Sequence, residues 1–171
     1  MTHTTTTEAI SAVPTSLIEA TNLSIIKTFD KMFGETSVEP AADAMHEGEG
    51  IVGLISFVGD ITWSLAMMFP QSSVVGLAYK FSGFEIEYES ADMGDVVGEI
   101  ANVLAGVLCG ELESRGVNTQ MSLPTVTRGR QVELLLGGHL LAKRLNVSTA
   151  AGHFGVRLIV SKNNMTTPVL F

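Results

Sequence analysis

The chain has 171 residues, 46% of them hydrophobic and 16% charged, with a net charge of −8 and one cysteine. That content suffices for a single domain with a sizeable core and excludes wholesale disorder. The acidic balance argues against sequence-independent nucleic-acid binding and against an anionic membrane surface, both of which depend on Lys and Arg, and a lone Cys109 rules out an internal disulfide and fits a reducing compartment.

The opening MTHTTTTEAI lacks the basic-then-apolar layout of a signal peptide. No uninterrupted apolar run approaches the roughly 18 residues of a bilayer span, so the expected location is the cytoplasm, away from membranes. Residues 1–13 are read as a flexible tail, 14–162 as the domain and 163–171 as a second tail. From Pro14, Leu17, Ile18, Leu23, Ile25, Ile26, Phe29, Met32 and Phe33 recur at helical spacing, and Gly34 ends the helix. Residues 36–47 are expected to hold an edge strand, and Gly48-Glu49-Gly50 a turn.

Ile51 to Val58 and Ile61 to Phe69 form an expected hairpin around Gly59-Asp60. Pro70 with Ser72 and Ser73 opens a short helix reaching about Phe81. FEIEYES (84–90) is an acidic connector whose Glu85, Glu87 and Glu89 read as a solvated face. A long helix follows from Ala91 to Arg115, stopped by Gly116. Val117 to Leu123 alternates as a strand that Pro124 interrupts. Two late strands are expected near 139–149 and 153–161, around Ala151-Gly152. The layout is α+β: a single domain of long helices packed on a mainly antiparallel sheet.

On the long helix, Val96, Val97, Ile100, Val103, Leu104, Val107 and Leu108 make one apolar face, and Asp95, Glu99, Asn102 and Gly106 a narrow stripe opposite. Glu111 is the exception, a carboxylate near the apolar side. Periodicity alone leaves the stripe open to being a solvated face. The spacing Asp95-x3-Glu99-x2-Asn102 resembles the Asp/Ser-x3-Glu-x2-Asn signature of the CheC/CheX/FliY phosphatases. The words GEIANVLAG and LPTVTRG are similar to the CheX branch, over roughly residues 15–162.

That resemblance implies a protein acting on the aspartyl phosphate of a CheY-like response regulator in chemotaxis or a related two-component pathway. Asn102 would orient the attacking water and Glu99 would dock on the regulator's lysine, making these two the candidate catalytic residues. Asp95 and Gly106 would join them in partner binding. The resemblance also implies a homodimer, no metal bound by this chain, and Mg²⁺ on the regulator. The rival readings are a receiver-binding module without catalysis and a dimeric scaffold of a signalling or flagellar assembly.

The first helix carries a second Glu-x-x-Asn, Glu19 and Asn22, with Thr15 where the signature has Asp or Ser. These are read as surface or cap residues, the alternative being a degenerate second site. His3, His46, His139 and His153 lack metal-ligand spacing. Cys109 is read as a small, partly buried residue, Arg128-Gly129-Arg130 as a solvated loop, and Met67 and Met68 as core filler.

Overall fold

The fold begins with the helix that Pro14 opens: the computed structural model describes residues 11–40 and 49–162, and α1 runs Thr15–Phe33. Its end is set by Gly34, at φ 84, whose N–H donates to the Asp30 carbonyl. An extended segment, β1 (Thr36–Pro40), follows. Residues 41–47 of the expected edge strand and Gly48 of the expected turn lie outside the described residues, as do His46, His3 and most of both tails. Gly50 opens a strand instead of closing a turn.

The hairpin pairs β2 (Gly50–Gly59) with β3 (Trp63–Pro70). β3 starts two residues later than expected because Ile61 is buried inside the turn. Gly59 holds φ 149, and a Cβ there would collide with the Asn118 carbonyl. Then come α2 (Gln71–Ser82), α3 (Ala91–Ser114), β4 (Thr119–Met121), β5 (Thr125–Gly129), β6 (Leu140–Thr149) and β7 (Gly152–Ser161).

Among the described residues all strand pairings are antiparallel, in the order β1-β6-β7-β3-β2, and the outer edge of β2 is covered by β4 at one end and β5 at the other. Phe57 pairs with Met121 and Leu54 with Thr125, so Ser122, Leu123 and Pro124 stand opposite only two residues of β2. This is a bulge, a position where a sheet tolerates proline. The expected strand 117–123 therefore shrinks to three residues, and a strand resumes after Pro124. Arg128-Gly129-Arg130 is not a solvated loop: Arg128 and Gly129 belong to β5.

Helices α1, α2 and α3 pack on one face of the sheet and against one another. That face presents Ile51, Ile55, Phe57, Leu65, Met67, Phe69, Leu145, Val147, Val156, Leu158 and Val160, all buried. Phe154 meets Phe29 edge-on at 5.1 Å and Phe69 at 4.9 Å, joining α1 to the middle of the sheet. The architecture is the expected α+β one.

α3 has the length and apolarity of a membrane-crossing helix, with mean hydropathy 1.4 over 18 residues. In the fold its apolar side is buried, against α1, α2 and the strands β2, β4 and β5. Gly53 of β2 lets the helix lie close, since a Cβ there would meet Ala101 and Val97 at 3.4 and 3.5 Å.

Candidate functional site

α3 is defined at its start by Ser90, whose Oγ accepts from the Met93 N–H at 3.3 Å and donates to the Glu87 carbonyl at 2.7 Å. Asp92 in the first turn complements the helix dipole. The buried side comprises Met93, Val97, Gly98, Ile100, Ala101, Leu104, Ala105, Leu108 and Leu112. This is rotated slightly from the expected face. Val107, placed there by periodicity, is 37% exposed, and Val96 and Val103 are half-buried. The small residues Gly98 and Ala101 are buried where α3 comes close to β5 and β2.

On the opposite side Asp95, Glu99 and Gly106 are exposed and Asn102 is half-buried. Residues three and four apart on a helix are neighbours, roughly 5–6 Å between Cβ atoms, so these four line one stripe. Among the described residues, the side chains of Asp95, Glu99 and Asn102 have no hydrogen-bond or ion-pair partner. A Cβ on Gly106 would meet nothing within 4 Å, so the stripe ends in open space. Two carboxylates and an amide thus stand together, able to accept from a cation and to hold a water by donating and accepting at once.

The α1 pair differs. Glu19 is exposed, and Asn22 is half-buried with its Oδ1 shielded and lacking a hydrogen-bond partner. Neither is a cap, since Pro14 occupies that place. Glu111 is engaged, with Lys27 Nζ at 2.8 Å and Arg115 Nη2 at 3.0 Å. Those hydrogen bonds hold its carboxyl below the usual carboxylate range. The exception on the helical wheel is therefore the polar joint between α1 and α3.

Cys109 is half-buried, and burial, aided by Glu113, pushes its thiol up, away from nucleophilic chemistry. His153 Nδ1 lies 3.2 Å from the Ser73 hydroxyl at the start of β7, and His139 sits in the turn before β6. Among the described residues no three His, Cys, Asp or Glu side chains cluster as metal ligands. Glu85, Glu87 and Glu89 are exposed as expected, but the connector between them is anchored: Ile86 and Tyr88 are buried. Sequence reading missed the group that holds it, Arg128, although the strand-like alternation after Pro124 could have exposed it.

A sequence comparison with curated proteins returned no match. By structure, the chain is similar to a CheC-like superfamily protein from a Shewanella species (TM-score 0.73, 19% identity, covering 86% of this chain and 98% of the other). It is also similar to the chemotaxis protein CheX of Vibrio vulnificus (0.71, 18%, 83% and 97%). A third similar structure is CheX in a CheX–CheY–BeF3–Mg complex from Borrelia burgdorferi (0.64, 15%, 85% and 95%). At these identities the likeness is one of fold. The family model for the chemotaxis phosphatase CheX matches residues 51–139, the stretch from β2 through α3 to the turn before β6. Half of the chain and the whole exposed stripe lie within that match, and the chain belongs to the CheX family.

Proposed function

We propose that this protein hydrolyses the aspartyl phosphate of a CheY-like response regulator, in chemotaxis or a related two-component pathway. The observation that carries the reading is the side-by-side placement of Glu99 and Asn102 on an exposed helix face, unpartnered among the described residues. The complex named CheX–CheY–BeF3–Mg supports the choice of partner.

In this reading the regulator brings its own phosphoryl group, a lysine and Mg²⁺. The ion and the lysine neutralise the phosphoryl oxygens when the two proteins meet. The transition state of phosphoryl transfer is loose, so the incoming water needs position more than early deprotonation. Asn102 holds that water in line, its carbonyl accepting a water proton and its amide able to donate. The water oxygen bonds to phosphorus as the P–O bond to the aspartyl carboxylate breaks, and the water's proton leaves with inorganic phosphate. Glu99 receives the regulator's lysine in a charge-assisted contact that sets the docking register. Asp95 adds negative charge one turn earlier, and Gly106 leaves room for the regulator's surface.

A cytoplasmic setting follows from that partner. We also place the protein as a homodimer through its sheet edges, β1 or the β4–β5 edge, a state that analytical ultracentrifugation reads directly.

The test of function is the decay of a phosphorylated regulator with and without this protein, and with Asn102→Ala. Acceleration by the native chain and its loss in the variant support the reading. Binding to the beryllofluoride-loaded regulator with no change in phosphoryl lifetime would replace it with a receiver-binding module.

A further inference from the structure

Arg128 takes no part in the chemistry above, yet its side chain makes several polar contacts of its own. From β5 its guanidinium reaches the chain just before α3. Nη1 donates to the carbonyls of Tyr88 at 2.6 Å and Ser90 at 3.0 Å, and Nη2 donates to that of Glu89 at 2.8 Å. Nε lies 3.5 Å from the Glu89 carboxylate, and Cζ is 5.7 Å from the centre of the Tyr88 ring. Three consecutive carbonyls are thus held by one planar fork, the last belonging to the residue that caps α3.

A cation gains nothing from the dipole at a helix N-terminus, where anions are favoured. The benefit of placing one here is geometric. The same strand touches α3 again further on, where a Cβ on Gly98 would meet Val126 at 3.5 Å and Pro124 of the bulge at 3.6 Å. Gly98 directly precedes Glu99. β5 with its bulge therefore fixes α3 at its cap and beneath its docking stripe, whereas the far end of the helix is tied to α1 through Glu111.

We propose that Arg128 is a positioning residue, setting the angle at which α3 presents Asp95 and Glu99 to the phosphorylated regulator. The inference rests on the docking reading above. Its test compares the native chain with Arg128→Ala and Arg128→Lys. Lysine keeps the charge but, as a point donor, does not reproduce the fork.

Both variants are expected to speed hydrogen exchange at the hydrogen-bonded amides of residues 94–99 by about tenfold, leaving 104–112 and β2 unchanged. Both are expected to raise the regulator concentration giving half-maximal dephosphorylation by about tenfold, with little change in the maximal rate, because Asn102 lies a turn beyond Glu99. A fall in maximal rate at unchanged half-saturation, or exchange raised uniformly along α3, would reduce Arg128 to a structural residue and overturn the proposal. Full rescue by lysine would overturn it too, since charge alone would then suffice. If the native chain fails to speed dephosphorylation, the functional reading falls, and unchanged exchange at 94–99 in the variants would separately sink the clamp.

Discussion

Two helices of this chain carry a Glu-x-x-Asn, and they share a spacing while differing in what surrounds it. Thr15, Glu19, Asn22 and Ile26 on α1 correspond in step to Asp95, Glu99, Asn102 and Gly106 on α3. On α3 the pair sits between an exposed carboxylate and an open glycine. On α1 the corresponding flank is Ile26, a large side chain that with Leu23 occupies the surface beside Asn22, and the Asn22 oxygen is shielded. The α1 pair also lies outside the residues matched by the CheX family model. On the function proposed above, the two motif residues would not by themselves make a site; the acidic residue before them and the empty space one turn on would admit the regulator.

The comparison breaks most visibly at the asparagines. Asn102→Ala is expected to slow regulator dephosphorylation by about 100-fold or more, the scale of a lost positioning contribution. Its thermal unfolding should stay unchanged, and Asn22→Ala should keep the native rate. Equal losses in the two variants, measured by phosphoryl decay, would put a working site on α1.

Exchanging flanks is the next sharpest test. Gly106→Ile gives α3 the flank of α1 and is expected to weaken binding to the beryllofluoride-loaded regulator by about tenfold. Gly106→Ala should preserve binding and stabilise the fold by about 0.5–1 kcal/mol, because alanine suits a helix interior and its Cβ meets nothing. Calorimetric titration and urea unfolding read the two effects. Native-like binding by the isoleucine variant would mean that the open space is not part of the docking surface.

The smallest expected effect concerns the joint between the helices. Glu111→Gln should lower stability by on the order of 1 kcal/mol at pH 7, as one part-exposed ion-pair network does. The folded-state pKa of Glu111 lies below its ordinary value, so its contribution is fully present above the unfolded carboxyl range near 4.3. The contribution is lost as pH falls through that range and below. The stability gap between native and variant should therefore be constant from pH 6 to 8 and close toward pH 3 in urea titrations. A gap that persists unchanged at low pH would remove the carboxylate as its source.

Much of this was legible in the residues. The hairpin around Gly59, the helix between Pro14 and Gly34 and the long helix ended near Gly116 follow from period, caps and turn chemistry. The stripe of Asp95, Glu99, Asn102 and Gly106 follows from a helix of 100° per residue. The errors share one cause. Val107 falls outside the buried face because a helical wheel centres the apolar face on the largest side chains. α3 instead buries glycine and alanine where β2 and β5 come close. For Arg128 the local signal is too short, since five residues after a proline carry little pattern, and what makes them a strand is the waiting edge of β2.

Sequence by itself therefore determined which residues form each long helix and central strand, and which polar side chains share a helix face, because these depend on neighbours within a turn or a pleat. Tertiary structure alone decided that the Asn22 oxygen on α1 is shielded while no side-chain polar atom of Asn102 is buried without a partner. It also decided that Glu111 joins α3 to Lys27 of α1, 84 residues earlier in the chain, and that an arginine on an edge strand holds the start of the motif helix. Such contacts depend on distances between elements far apart in the chain, and no local pattern encodes those.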